Sequence, residues 1–217
     1  MLVVVCPGQG AQSPGMLAPW LELPSVAESI ARASRTTGLD LVAHGTTSDA
    51  DTIRDTAVAQ PLLVATALAT VRAVLDLSAD DALDIAAQRV VGATAGHSVG
   101  ELAAAAIAGV LTDDEALRLV AVRGAAMARA AATTPTGMCA VLGGDPDEVL
   151  AALAEHGLVP ANVNGGGQVV AARASSVPAS SRCRWPGRST PSTWHRPSPS
   201  CVPRPTTSPR ASRWSRC

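Results

Sequence analysis

Acidic residues are absent from the last 45 residues of this 217-residue chain, because all 18 aspartates and glutamates precede Arg173. The same segment, residues 173–217, also lacks leucine and isoleucine, but it holds nine of the 17 arginines and eight of the 16 prolines. The first 172 residues, where eight arginines face 18 acidic residues, carry a net charge of −10. A segment without leucine or isoleucine buries too little apolar surface to offset its conformational entropy. We therefore expect residues 173–217 to be disordered.

A long hydrophobic run is also missing. The longest uncharged apolar stretch, Leu102–Leu111, is too short to span a bilayer. The apolar stretch Met1–Cys6 has no basic flank and ends at Pro7, which argues against a signal peptide. These absences predict a cytoplasmic protein that does not associate with membranes.

Paired cysteines are the third absence. The five cysteines show neither paired spacing nor the spacing of metal ligands. This pattern predicts reduced thiols and no structural metal. Because 47% of the residues are hydrophobic, the chain has enough apolar material for a core, in which we expect Cys6 and Cys139 to lie.

Strand-like and helix-like patterns alternate through the first 172 residues. The predicted elements are a strand at Leu2–Cys6, helices at 25–35 and 60–77, a strand at Arg89–Thr94, helices at Ser98–Val110 and 113–132, a strand at 137–144, a helix at 146–156 and two short strands within 158–172. Pro61 is expected near the start of its helix. Thr112 and Glu115 match a capping box that opens the helix carrying Arg123. The alternation favours an α/β protein with a largely parallel sheet.

The five residues Gly96-His97-Ser98-Val99-Gly100 match the pattern G-x-S-x-G between a predicted strand and a predicted helix. In that context the pattern is typical of a nucleophile elbow, a sharp turn whose glycines relieve crowding between strand and helix. The turn presents the serine hydroxyl beside the N–H groups of the first helical turn, which can stabilise an oxyanion together with the helix dipole. The Val99 N–H is the best placed of these donors. In a chain rich in glycine and alanine, the same pattern also arises by chance.

Five motifs, in this order and at these separations, resemble the malonyl-CoA:acyl-carrier-protein transacylases of type II fatty acid synthesis. They are "PGQGAQSPGM", "GHSVGELAAAAIAGVLT", "RGAAMARAA", "GMCAVLGG" and "ANVNGGGQVVAA". The chain is similar also to the acyltransferase domains of polyketide synthases. The resemblance covers residues 2 to 172 almost continuously and then stops.

The resemblance implies a ping-pong acyl transfer without a bound cofactor. Ser98 would accept the malonyl group of malonyl-CoA and pass it to the phosphopantetheine thiol of acyl carrier protein. The family's two backbone donors to the oxyanion correspond here to Gln9 and Val99. The family's arginine, which binds the free malonyl carboxylate, corresponds to Arg123. A guanidinium can pair with a carboxylate through two parallel hydrogen bonds, which a neutral acyl group cannot accept. Without the resemblance, Arg123 would be taken for an ordinary solvated charge on a helix.

Two further residues are expected in the substrate-binding region. His97 is adjacent to the nucleophile, but neighbouring side chains at an elbow diverge, so we expect it to shape the site rather than act as the base. Asn162 matches an asparagine that the family has near its site. An asparagine shortly before Gly165-Gly166-Gly167 is equally suited to a turn.

The resemblance also implies the architecture, an α/β-hydrolase-like acyltransferase core with an inserted ferredoxin-like subdomain. We expect residues 1–123 to form the large subdomain and residues 124–172 a partial ferredoxin-like subdomain. Family members are longer than 217 residues, so we expect the inserted subdomain to be incomplete. We expect the chain to be a monomer.

The family's general base is a histidine in a G-A-F-H-T-like stretch, and this stretch is absent from the sequence. The histidines are His44, His97, His156 and His195, and only His195 follows the "GQVV" strand. Its neighbours, "PSTWHRPSPS", do not resemble the motif. Without a base, turnover by a serine nucleophile falls on the order of 10⁴–10⁶-fold. We therefore expect the chain as written to be inactive or very slow.

A shift of reading frame accounts for the unusual tail. Shifting "RCRWPGRSTPSTWHRPSPSC" by one base in GC-rich codons allows "LPVAGAFHTQHMAPAVAEL", which resembles the missing family segment. We hypothesise that residues from about Arg173 onward are translated out of frame, through a frameshift or a sequence error. The DNA across codons 165 to 217 tests this, since a restored frame without an F-H-T-like triplet contradicts it.

Two alternatives remain open at the level of sequence. A serine esterase shares the G-x-S-x-G elbow, but its choice of acyl group would not depend on Arg123. The nine arginines of the tail also permit a nucleic-acid-binding arm. Out-of-frame translation of GC-rich DNA also produces a segment rich in arginine and proline. The composition of the tail therefore needs no nucleic-acid partner to explain it, and we expect none.

Overall fold

The computed structural model describes residues 2–133, 136–174 and 181–184. The chain divides into two compact units, Met1–Ala130 and Ala131–Cys217. Helices and strands alternate through the described part of the chain, as the sequence predicts. Residues 173–174 and Ser181–Arg184 lie in described strands, so the expectation that they are disordered is wrong. The rest of the prediction for residues 173–217 falls outside the described residues. The assignment of residues 1–123 and 124–172 to two subdomains of the family stays a prediction.

The first unit contains a pair of parallel strands and the helices that connect and follow them. Its strands are β1 (Leu2–Cys6) and β2 (Val91–Gly96), and its helices are α1 (Pro24–Thr37), α2 (Leu41–Thr46), α3 (Thr56–Val74), α4 (Leu83–Val90), α5 (Gly100–Ile107) and α6 (Asp113–Thr133). The parallel register places Cys6 opposite Gly96. The two strands therefore end side by side, and the segments that follow them lie at the same edge of the sheet.

Helix α3 begins earlier than the sequence suggests. It starts at Thr56, and its N-cap is Asp55, whose carboxylate accepts a hydrogen bond of 2.8 Å from the Ala57 N–H. Pro61 lies inside the helix, so the expectation that it stands at the helix start is wrong. The aspartate cap satisfies an amide of the first turn, and this fixes the start of the helix upstream of the proline. Gln60 consequently lies within the buried part of α3 rather than at its end.

Helix α3 forms the centre of the core of the first unit. It is long and apolar enough to cross a membrane by length and composition, so the expectation that no stretch is long enough to do so is wrong. In the structure 61% of that apolar window is buried. Leu62, Leu63 and Val64 belong to the buried cluster of this unit, and α3 as a whole contacts α1 and α5. This degree of burial is typical of a core helix.

The start of α6 is held in place by a buried ion pair. The Arg72 guanidinium of α3 is 5% exposed, and its Nη2 lies 2.6 Å from Asp113 Oδ2. Arg72 Nη1 also donates to the carbonyl oxygens of Ser78 and Asp81, at 2.8 and 2.9 Å. Beside it, Arg32 pairs with the next carboxylate and holds the pKa of Asp114 below its usual value. Two arginine–aspartate pairs therefore hold the first turn of α6 in place.

The predicted capping box at this helix start is confirmed. Thr112 Oγ1 accepts a hydrogen bond of 3.2 Å from the Glu115 N–H, and Glu115 Oε2 accepts one of 2.8 Å from the Thr112 N–H. The hydrogen bonds that the Thr112 N–H and hydroxyl donate to the Glu115 carboxylate lower the pKa of Glu115. The capping box holds the first turn of α6 in place. Since Arg123 lies farther along the same helix, its position is defined as well.

The second unit has a sheet of different topology. Its described elements are β3 (Thr136–Leu142), α7 (Pro146–Glu155), β4 (Val159–Asn164), β5 (Gln168–Ala174) and β6 (Ser181–Arg184), with strand order β4-β5-β3-β6. β5 is antiparallel to both β4 and β3, so the expectation of a largely parallel sheet is wrong for this unit. For β4 and β5 the physical reason is the short glycine turn at residues 165–167, because a turn of that length can join only antiparallel neighbours.

Cys6 in the first unit and Cys139 in the second differ in oxidation state. Cys6 is free and buried, and burial raises the pKa of its thiol. Cys139 on β3 is disulfide-bonded, so the expectation of reduced thiols is wrong for this residue. Within the described ranges, no group of three or more histidine, cysteine or acidic residues is arranged to hold a metal ion.

Candidate active site

Ser98 lies in a sharp turn between the end of β2 at Gly96 and the start of α5 at Gly100. Its φ is 53°, a left-handed conformation that residues other than glycine rarely adopt. Such strain persists only where the surrounding structure enforces it, and it is the signature of a nucleophile elbow. Ser98 is exposed, so its hydroxyl is accessible from solvent.

The two glycines of the motif are required by close backbone contacts. A Cβ on Gly96 would lie 2.3 Å from the backbone nitrogen of Glu101, which is part of α5. A Cβ on Gly100 would lie 2.3 Å from the carbonyl oxygen of Cys6 and 2.6 Å from that of Pro7. The elbow is therefore pressed against the end of β1, and neither contact can be relieved by moving a flexible side chain.

The loop after β1 packs directly on the elbow. The His97 N–H donates a hydrogen bond of 3.0 Å to the Cys6 carbonyl oxygen. A Cβ on Gly8 would lie 2.3 Å from His97 Nδ1, so the imidazole covers the glycine backbone. This contact places Gln9, the next residue, beside the turn that carries Ser98. His97 thus joins the β1 loop to the elbow, and none of the described hydrogen bonds links its ring to the Ser98 hydroxyl.

Two backbone N–H groups at this edge are available to a ligand. Among the described hydrogen bonds, neither the Gln9 N–H nor the Val99 N–H has an acceptor. Val99 is the N-cap of α5, and its side chain is fully buried, which fixes the direction of its amide. Unpaired amides at a helix start are well suited to bind an anionic oxygen.

Arg123 reaches Ser98 from α6. Its Nη2 donates a hydrogen bond of 3.2 Å to Ser98 Oγ. The neighbouring Gly124 makes this possible, because a Cβ there would lie 2.9 Å from the Thr56 carbonyl oxygen and 3.3 Å from the Ala57 Cα. The absence of a side chain lets the two helix backbones approach closely, which brings the guanidinium within reach of the elbow.

Gln60 is a site residue that the sequence analysis missed. Its side chain is 1% exposed, and its Oε1 accepts a hydrogen bond of 2.5 Å from Arg123 Nη1. Its Nε2 donates to Gln9 Oε1 at 3.3 Å, and Gln9 Nε2 donates to Thr56 Oγ1 at 3.1 Å. A single glutamine within an apolar helical stretch is the sequence signal for a buried polar residue. Because Pro61 follows it, the sequence places Gln60 at a helix start instead.

The remaining predicted residues lie elsewhere. Asn162 is exposed on β4 of the second unit, where it pairs with Val170 of β5. His44 Nδ1 is hydrogen-bonded to Ser48 Oγ at 3.1 Å, and His156 is the C-cap of α7. No hydrogen bond within the described ranges joins a histidine ring to the Ser98 hydroxyl, and His195 lies outside those ranges. The structure thus brings together Ser98 and four of the predicted residues in the first unit, namely Gln9, His97, Val99 and Arg123.

The comparisons with known proteins agree with this geometry. The model of the family "Acyl transferase domain" matches residues 3–176. The malonyl CoA-acyl carrier protein transacylase of Mycobacterium tuberculosis (strain ATCC 25618 / H37Rv) is 54% identical over 172 residues, 79% of this chain and 55% of the relative. The protein of the same name from Salmonella typhimurium is 35% identical over 173 residues, 77% of this chain and 53% of the relative.

Solved structures give the same result. The crystal structure of MCAT from Mycobacterium tuberculosis matches with a TM-score of 0.68 at 50% identity, covering 79% of this chain and 54% of that one. An acyl carrier protein S-malonyltransferase from Vibrio cholerae matches with a TM-score of 0.62 at 32% identity, covering 78% and 54%. The chain spans about half the length of these relatives.

A parallel strand pair that ends in a serine elbow, faced by an arginine, defines an α/β acyltransferase. This confirms the fold class predicted from the sequence. The chain belongs to the acyl transferase domain family, and the resemblance to its malonyl-CoA:acyl-carrier-protein transacylases is confirmed.

Proposed function

We propose that this chain carries the nucleophile of a malonyltransferase, which moves a malonyl group from malonyl-CoA to the phosphopantetheine thiol of acyl carrier protein for fatty acid or polyketide synthesis. The observation that carries the proposal is the hydrogen bond of 3.2 Å between Arg123 Nη2 and Ser98 Oγ. A fixed cation at a serine nucleophile is what transfer of an acyl group with a free carboxylate requires. A neutral acyl group has no carboxylate with which this cation could pair.

In the first half-reaction Ser98 Oγ attacks the thioester carbonyl carbon of malonyl-CoA. The serine proton passes to a base, a new C–O ester bond forms, and the C–S bond breaks to release coenzyme A as its thiol. The carbonyl oxygen carries negative charge in the tetrahedral intermediate. The N–H groups of Gln9 and Val99 are the donors that stabilise this charge, because both lack another described acceptor.

Arg123 selects the substrate by binding the carboxylate at the far end of the malonyl group. Its contact with Ser98 Oγ places the guanidinium beside the position of the reacting carbonyl. Malonate is a short diacid, so its carboxylate remains near the nucleophile after the ester forms. A guanidinium binds it through charge-assisted hydrogen bonds that acetyl or longer neutral groups cannot form.

In the second half-reaction the phosphopantetheine thiol of acyl carrier protein attacks the seryl ester. A thioester forms, the C–O bond breaks, and Ser98 regains its proton. We propose that the only partners are malonyl-CoA and phosphopantetheinylated acyl carrier protein, with no bound cofactor, metal or nucleic acid. We also propose that the protein is a cytoplasmic monomer, with His97 shaping the site around Ser98.

The step that this chain performs poorly is proton removal from Ser98. None of the described hydrogen bonds connects a histidine to the nucleophile, and the family's base motif is absent from the sequence. We propose that the chain as written acylates slowly, with the oxyanion donors and Arg123 supplying the residual rate. A version whose gene restores the family segment after residue 172 is expected to be faster by about 10⁴-fold or more.

A transfer assay separates this function from that of an esterase. Radioactive malonyl-CoA is given to the chain as written and to the frame-restored version, with and without phosphopantetheinylated acyl carrier protein. We expect label to accumulate on the carrier protein and Ser98→Ala to abolish transfer. Release of free malonate at the same rate with or without carrier protein would identify a hydrolase instead.

A further inference from the structure

The Arg123 guanidinium is held at two of its nitrogens. Nη2 donates to Ser98 Oγ and Nη1 donates to Gln60 Oε1, at 3.2 and 2.5 Å. We propose that Gln60 is a positioning residue, which fixes the guanidinium beside the nucleophile as a neutral acceptor and leaves its charge for the substrate carboxylate. The inference rests on the proposed function, because it assigns the means by which Arg123 recognises that carboxylate.

Burial makes this contact obligatory. The Gln60 side chain is 1% exposed, so water cannot satisfy its amide and the protein must supply the partners. Its neighbours along α3, Ala59, Pro61 and Leu62, offer no side-chain donor or acceptor. Arg123 is therefore the donor that Gln60 Oε1 depends on, and the amide in turn restricts the guanidinium.

The amide of Gln60 has one orientation that satisfies both of its sides. A guanidinium has only donors, so Gln60 presents Oε1 to Arg123. Its Nε2 then donates to Gln9 Oε1 and Met127 Sδ, each at 3.3 Å. Gln9 must therefore turn its Nε2 outward, where it donates to the Arg54 carbonyl oxygen at 3.4 Å. The guanidinium at one end and the carbonyl at the other set the direction of every hydrogen bond between them.

This hydrogen-bonded chain joins the two halves of substrate recognition. Gln9 supplies a backbone N–H to the proposed oxyanion site, and its side chain is tied through Gln60 to Arg123. The groups that bind the thioester oxygen and the malonyl carboxylate are thus held in one network. A displacement of Gln60 changes the position of the guanidinium relative to the amide donors.

A glutamate in this position would have the opposite effect, although it has the same shape. It would pair with Arg123 as a buried ion pair and compete with the substrate carboxylate for the same charge. It would also lack the N–H that Gln9 accepts. The neutral amide is therefore required if Arg123 is to remain available.

The test compares the affinity of the full chain for malonyl-CoA and acetyl-CoA by titration calorimetry. We expect the wild-type chain to prefer malonyl-CoA by at least about tenfold, the effect of one charge-assisted contact. Gln60→Glu is expected to reduce this preference to near one without changing the affinity for acetyl-CoA. Gln60→Met keeps the volume and removes the acceptor, so it should also reduce the preference, and it serves if the buried glutamate prevents folding. Gln88→Glu, at an exposed position of α4, is the control and should leave the preference unchanged.

Each outcome decides the proposal. A preference that survives in the folded Gln60 variants overturns the positioning role and leaves the proposed function intact. An equal loss of affinity for both thioesters also overturns it, because it would show that Gln60 only supports the fold. A wild-type chain that binds both thioesters equally contradicts the proposed function itself, and the role of Gln60 fails with it.

Discussion

Arg123→Ala is expected to lose the preference for malonyl-CoA over acetyl-CoA while keeping its affinity for acetyl-CoA. The guanidinium lies 3.2 Å from the Ser98 hydroxyl, and acetyl groups offer it no carboxylate. Hydrogen bonds to charged groups contribute about 1.5–3 kcal/mol. The preference should therefore fall by roughly tenfold to a hundredfold. The measurement is the ratio of the two dissociation constants.

Two variants give this prediction its controls. Arg129→Ala removes an exposed arginine from the same helix and should leave the ratio unchanged. Arg123→Lys keeps the charge but cannot form two parallel hydrogen bonds, so an intermediate ratio is expected. If Arg123→Ala binds malonyl-CoA as selectively as the wild type, the guanidinium is a surface charge and the substrate assignment is wrong.

Gly100→Ala is expected to destabilise the first unit by about 3 kcal/mol, at the upper end of what an extra buried methyl group costs. The new Cβ would lie 2.3 Å from the Cys6 carbonyl oxygen and 2.6 Å from that of Pro7. Both contacts are with backbone, so relief requires β1 and the elbow to move apart. Urea unfolding monitored by circular dichroism gives the free energy of unfolding.

Gly165→Ala is the matched control for this substitution. Nothing lies within 4 Å of a Cβ at Gly165, and its φ is outside the left-handed region. The free energy of unfolding of the Gly165→Ala variant should differ from that of the wild-type chain by less than about 0.5 kcal/mol. Equal effects of the two substitutions would show that the contact between the elbow and β1 is not rigid.

The elbow could be predicted from the sequence because its information is local. Five consecutive residues specify the turn, and the same glycines make the contacts that hold it in the structure. The capping box at Thr112 and Glu115 was predictable for the same reason, since both partners lie within one turn. Short-range patterns of this kind depend little on the rest of the fold.

The surroundings of Arg123 could not be predicted in this way. Gln60 meets Arg123 across 63 positions of sequence, and the contact depends on how closely α6 approaches α3 at Gly124. The role of Arg123 itself came from resemblance to a family, because a single arginine on a helix carries no signal of its own. The alternation of elements suggests parallel strands, whereas the glycine turn at residues 165–167 requires β4 and β5 to be antiparallel.

The family match and the composition of the chain change at nearly the same place. The match ends at residue 176, and the segment that holds nine of the 17 arginines begins at Arg173. This coincidence supports the hypothesis that the reading frame shifts near that position. The same hypothesis accounts for the absence of the family's base motif from the sequence.

Formation of a malonyl ester on Ser98 is the most direct test of the account. The chain is incubated with malonyl-CoA, quenched in acid and digested, and the peptide that contains the elbow is examined by tandem mass spectrometry. We predict a single malonyl group on the Ser98 oxygen, which forms slowly and is absent from Ser98→Ala. A malonyl group found on another side chain, or a Ser98 peptide that stays unmodified even in the frame-restored protein, would contradict the account.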